Sequence, residues 1–173
     1  MLLNSFKDRI LQKRVKKSLK NNTVTREIAA DKITTIGVLA SASTPNLNEL
    51  VILLQKEFHC EITPIFLFKE FEKNKEVLQN EFTNKDLNWK LNFIHPNLVE
   101  FINEPLSLLV GYFNTNNIYL KNAILQSNAK FKVGFSTIEE PIYELTIDTK
   151  IEDHKVFVFE LKKYLIALNK VKI

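Results

Sequence analysis

With 173 residues, 45% of them hydrophobic and 25% charged, the chain has the composition of one globular domain and the length to bury about two thirds of its unfolded surface. Its single cysteine, Cys60, excludes an internal disulfide framework and leads us to expect a reducing, cytoplasmic setting. The net charge of +4 is unevenly placed: residues 1–27 hold Lys7, Arg9, Lys13, Arg14, Lys16, Lys17, Lys20 and Arg26 against Asp8 and Glu27, a local +6 that leaves −2 for the rest.

This basic segment is the first predicted element. Leu3, Phe6, Ile10, Leu11, Val15 and Leu19 form an apolar stripe that drifts round a helix, with Lys13-Arg14 and Lys16-Lys17 on the other side. The charge predicts a polyanionic partner, because clustered Lys and Arg gain most where phosphates release condensed counterions. The plainer alternative is a solvated helix whose stripe packs on the domain. Lys7, Asp8 and Arg9 interrupt the opening apolar residues too early for a signal peptide, and no run approaches the ~20 residues of a membrane span. Asn21–Thr25 reads as a hinge, giving a helical arm over 1–27 and a domain over 28–173.

The domain opens with a β-type run, Thr34–Leu39, followed by a helix on Leu47, Leu50, Val51, Leu54 and Phe58, with Thr44 as its cap and Pro45 in its first turn. Glu61–Phe68 is a strand with Pro64 expected near its start. Helices are predicted over Glu72–Phe82 and Asn97–Asn103, with a short strand at Leu91–Ile94 between them. Leu108–Phe113 and Phe131–Phe135 are further strands, Tyr143–Asp148 a weaker one, and Tyr119–Asn128 and Val156–Val171 are helices. Gly37, Gly111 and Gly134 all fall inside strand runs, where glycine marks a bulge, a bend or a close approach, so these strands are expected to be central. Strands alternating with helices predict an α/β fold: a three-layer domain with a mostly parallel sheet of five or six strands.

Ligands of such sheets bind at the carboxyl ends of the strands, which singles out three loops. Ser41, Ser43 and Thr44 follow the first strand, Asn114 follows the strand with Gly111, and Ser136 follows the strand with Gly134. These form a candidate ligand pocket, although a simple helix cap is the plainer reading of Ser43 or Thr44. The Ser136 loop also holds Glu139 and Glu140. No GxGxxG or GxxxxGK[ST] is present, so ordinary dinucleotide or P-loop binding is not expected. His59, His95 and His154 form no metal motif or triad order, Cys60 has no redox partner, and no catalytic residue, metal ligand or cofactor is assigned. Phe58, Phe66, Phe68, Phe135 and Phe159 read as core. Trp89 lies in the polar stretch Asp86–Lys90, where packing beneath a loop is the expected state and a partner surface the alternative.

Glu104-Pro105-Leu106-Ser107-Leu108-Leu109-Val110-Gly111, Tyr119-Leu120, Asn128–Phe135 and Tyr143–Asp148 together resemble an uncharacterised bacterial family of small α/β proteins, over nearly the whole chain. The strand, helix and Lys132-Val133-Gly134-Phe135 order also resembles the N-terminal, Rossmann-like half of heptosyltransferase-type glycosyltransferases, over about a third of the chain. That resemblance implies a Rossmann-like domain. It departs at Ser41-Ala42-Ser43, where those enzymes carry an acidic base, and the second domain that binds their nucleotide sugar has no counterpart here.

The first functional expectation is a non-catalytic domain that binds RNA, or an RNA-containing assembly, through Lys7, Arg9, Lys13, Arg14, Lys16, Lys17, Lys20 and Arg26. The second places the same helix on an anionic membrane surface, with Leu2, Leu3, Phe6 and Ile10 in the interface. The third is a degenerate sugar or nucleotide pocket of about 300 Å³ or more at the strand ends.

Overall fold

A computed structural model describes residues 2–21, 32–138 and 141–171. The elements run α1 (Leu2–Asn21), β1 (Thr35–Ser41), α2 (Leu47–Phe58), β2 (Glu61–Phe68), β3 (Glu81–Phe82), α3 (Pro96–Asn103), β4 (Leu108–Tyr112), α4 (Ile118–Gln126), β5 (Lys132–Phe135), β6 (Leu145–Ile147) and α5 (His154–Ala167). Six strands, all parallel, form one sheet in the order β3-β2-β1-β4-β5-β6. The chain builds outward first on one side of β1 and then on the other, so the strand order reverses at the seam between β1 and β4.

Side chains alternate across the strands and are covered on both faces. Ile36, Val38, Ala40, Val110 and Tyr112 meet Leu50 and Leu54 of α2 and Phe157, Leu161 and Leu165 of α5. Leu39, Phe66, Phe68 and Leu109 meet Leu98 and Phe101 of α3 and Leu120, Ala123 and Ile124 of α4. The second layer also includes α1: Leu11, Val15 and Leu19 are buried in the same cluster as Phe82, Leu87, Leu91 and Tyr119. Of the stripe read from the sequence, Leu11, Val15 and Leu19 are therefore packed on the domain, while Ile10 is exposed.

Two glycines of the central strands admit one large side chain. A Cβ at Gly111 or at Gly134 would collide with the ring of Tyr143, which lies across β4 and β5. Pro64 sits in the middle of β2, where the register against β1 slips: Ile36 faces Ile62 and Val38 faces Ile65, so two residues of β2 oppose one of β1. A bulge relieves proline of the ladder bond it cannot donate.

Four local expectations are corrected. Residues 72–80 form no helix; they run as a loop into the two-residue edge strand β3. The cap of α2 is Asn46, in a left-handed conformation with φ 53, and Thr44 and Pro45 lie in the preceding turn. The predicted strand at 91–94 is only an isolated antiparallel bridge between Leu87 and Phe93. Phe159 is 65% exposed on α5, whereas Phe58, Phe66, Phe68 and Phe135 are core as expected.

Candidate functional site

Docking through Leu11, Val15 and Leu19 fixes which side of α1 faces outward. At 100° per residue, Arg9, Lys13, Lys16, Lys17 and Lys20 cover the side opposite this stripe, and all are exposed. Two of the predicted polyanion ligands point elsewhere. Lys7 Nζ donates to the Leu87 carbonyl at 2.5 Å. Arg14 Nη1 donates to the carbonyls of Lys90 at 2.8 Å and Leu91 at 2.9 Å, and both its terminal nitrogens reach Asn92 Oδ1 at 3.2 Å. On the docked side of the helix Asp8 Oδ1 accepts a 2.5 Å bond from the Tyr119 hydroxyl. The acidic group of α1 is thus turned toward α4, and its outward side carries cations with no carboxylate among them. Arg26 and the side chains of Leu2, Leu3 and Phe6 lie outside the described residues, as does the Asn22–Thr25 part of the proposed hinge.

At the seam between β1 and β4, a crevice of about 240 Å³ is lined by Ser41, Ser43, Thr44, Pro45, Phe113, Asn114, Thr115, Ile151 and Glu152. Four of the five residues assigned from sequence to a ligand pocket come together here. Ser136 does not; its hydroxyl donates to Asp148 Oδ1 at 3.1 Å. Glu139 and Glu140 lie outside the described residues. Ser41 and Ser43 share a 2.8 Å hydroxyl bond, so much of their polar capacity is satisfied within the turn.

Beneath this crevice, Tyr112 ends β4 and its hydroxyl donates to the Ile151 carbonyl at 2.8 Å, with His154 Nδ1 2.6 Å away. Burial pushes the Tyr112 hydroxyl far above its ordinary value, and the negative charges of Asp153, Glu152 and Glu49 push it the same way. The phenol stays protonated and braces α5 against β4. The same three carboxylates make the neighbourhood of the crevice acidic, which opposes a phosphate despite the helix N-terminus beside it.

The remaining residues singled out by sequence have structural places. His95 caps α3, its Nδ1 accepting from the Leu98 N–H at 3.3 Å. His59 ends α2 with a left-handed φ of 50. Cys60 is half-buried and burial raises its thiol pKa, the opposite of an activated nucleophile. Among the described residues no group of three or more His, Cys, Asp or Glu gathers to hold a metal, and no helix is long and apolar enough to cross a membrane.

Trp89 corrects the sequence reading: it is 82% exposed at the tip of a loop. Leu87, Leu91 and Phe93 of that loop are buried, and alternation alone would have turned Trp89 inward with them. Leu91 adopts a left-handed φ of 63, and the reversal this belongs to breaks the alternation. The polar neighbours Asn88 and Lys90 were the only signal in the sequence.

No curated protein and no solved structure matches the chain. Residues 7–168 match a family of unknown function (DUF6913), and the chain belongs to that family.

Proposed function

We propose that this is a non-catalytic domain that binds RNA, or an RNA-containing assembly, through the outward side of α1. One observation carries the reading: α1 packs Leu11, Val15 and Leu19 on the domain and turns its aspartate to Tyr119, which leaves Arg9, Lys13, Lys16 and Lys17 exposed together on a side with no acid. Such a ridge suits phosphates and has little means of reading sequence.

The membrane reading uses Ile10, which is exposed, and Leu2, Leu3 and Phe6, whose side chains lie outside the described residues; Leu11, Val15 and Leu19 face the protein and offer nothing to lipid. For the sugar or nucleotide pocket, the strand order matches that of dinucleotide-binding sheets, which speaks to fold alone. The crevice is smaller than the ~300 Å³ usual for a ligand site and has Glu152 in its wall. The resemblance to heptosyltransferase-type enzymes therefore stays with the fold in this reading.

The test is a variant with Arg9, Lys13, Lys16 and Lys17 all replaced by Glu. Like-charge spacing along the helix is unchanged in kind, and surface substitutions cost about 0.5 kcal/mol or less each, so the melting temperature should move little. RNA affinity should fall more than about 100-fold at ~0.1 M salt. In the unaltered protein, four contacts to a single strand predict a slope of log K against log salt of about −3. A folded variant that binds RNA as tightly as the parent chain overturns the reading.

A further inference from the structure

The loop that carries Trp89 is the loop that α1 grips. Lys7 holds the Leu87 carbonyl, and Arg14 holds the carbonyls of Lys90 and Leu91. These bonds flank Trp89 in sequence and fix its backbone against the helix. Passing outward round α1 from the Arg14 edge, the next exposed positions among the described residues are Ile10, Lys17 and Lys13. On the loop itself, Lys90 Nζ stands 5.0 Å from the centroid of the indole ring. The most exposed large hydrophobic side chain among the described residues, and the sole tryptophan of the chain, thus lies in a cationic neighbourhood built from two elements.

We propose that Trp89 is a stacking platform for an unpaired nucleobase, with Lys90 of the loop and Lys13 and Lys17 of α1 holding the adjoining phosphates, so that the preferred ligand is single-stranded RNA. The proposal rests on the RNA-binding reading above and narrows it. Every base has a π-face, so an exposed indole flanked by cations takes a single strand without regard to sequence. A duplex hides those faces, and its deep groove admits no side chain at a loop tip. A lipid surface would ask for several apolar groups around the indole; among the described residues the neighbouring outward positions are mostly lysines.

The sole tryptophan is its own probe. The full chain is titrated with a uridine oligonucleotide, with an RNA duplex of equal length, and with inorganic polyphosphate, while indole emission and affinity are followed. The oligonucleotide should quench the emission and polyphosphate should bind without quenching it. Trp89→Ala should weaken the oligonucleotide about tenfold and leave duplex and polyphosphate affinities unchanged, and Trp89→Phe should restore most of the loss. If the oligonucleotide binds with emission unquenched and Trp89→Ala binds it equally well, stacking is overturned and the RNA-binding reading stands. If no RNA binds and phosphatidylserine vesicles shift the emission to the blue, both are overturned.

Discussion

Tyr143 lies across two strands because neither Gly111 nor Gly134 puts a side chain in its way. Gly134→Ala should cost about 2–4 kcal/mol, since the methyl group meets a ring held inside the sheet face. Tyr143→Ala should cost a similar amount through the cavity it leaves. The two losses should not add: with the ring gone the methyl has room, and a double-mutant cycle by urea unfolding should show a coupling of at least about 1 kcal/mol. Strict additivity would mean that the ring is not what the glycine accommodates. The sequence signalled a close approach at these glycines and left the approaching group unnamed. Tyr143 sits in a weak strand run of its own, and nothing local links it to Gly111. Phe159 was misread for a related reason, since a helix at the sheet surface tolerates an exposed aromatic that periodicity alone assigns to the core.

At the scale of elements, the strongly periodic segments were legible. The runs that became β1, β4 and β5, and the stripes that became α2, α4 and α5, each carried enough apolar repeat to fix their type, although α5 ends at Ala167 where the stripe was read on to Val171. Residues 72–80 were not legible, because Glu72, Lys73, Lys75, Glu76 and Gln79 favour a helix by propensity while only Val77 and Leu78 could anchor one. What orders this stretch instead is Glu81 of β3. Its carboxylate accepts from the Leu78 N–H at 2.8 Å and pairs with Lys69, whose ammonium also bonds the Glu76 carbonyl at 2.6 Å. Burial alone would raise the Glu81 pKa; the bonds from Leu78 and Lys69 outweigh it and hold the carboxyl below its ordinary 4.5. A carboxyl depressed in the folded state contributes stability that is complete above the unfolded value and is lost as pH falls through the folded one. The urea midpoint should therefore drop as the pH is lowered from about 5 toward 3, and Glu81→Gln should start lower at pH 7 and lose less on acidification. An unchanged acid dependence in that variant would place the effect on other carboxylates.

For the whole molecule, the basic segment is both the candidate binding surface and part of the core. Leu11 is 1% exposed, and it packs in one cluster with residues from the β3 region, the Trp89 loop and α4. A chain beginning near residue 32 should melt at a lower temperature, expose the apolar floor beneath α1 and bind a hydrophobic dye, so loss of partner binding by such a fragment would not separate charge from folding. Intact melting of the truncated chain would show that α1 contributes nothing to stability. The candidate surface was legible from the sequence as charge, but its geometry was not, because Arg14 and Lys7 are diverted to carbonyls some 76 to 80 residues further along the chain.

The bond between Asp8 and Tyr119 spans 111 residues, and this separation has a consequence in time. During synthesis at about 5–20 residues per second, α1 emerges from the ribosome roughly 5–20 s before the surface of α4 that will cover it. Until the β3 region, the Trp89 loop and α4 have all emerged, the apolar stripe of this strongly cationic segment is incompletely covered. Chaperone demand for this protein should be set by that waiting period, and slowing translation between residues 22 and 118 should raise it.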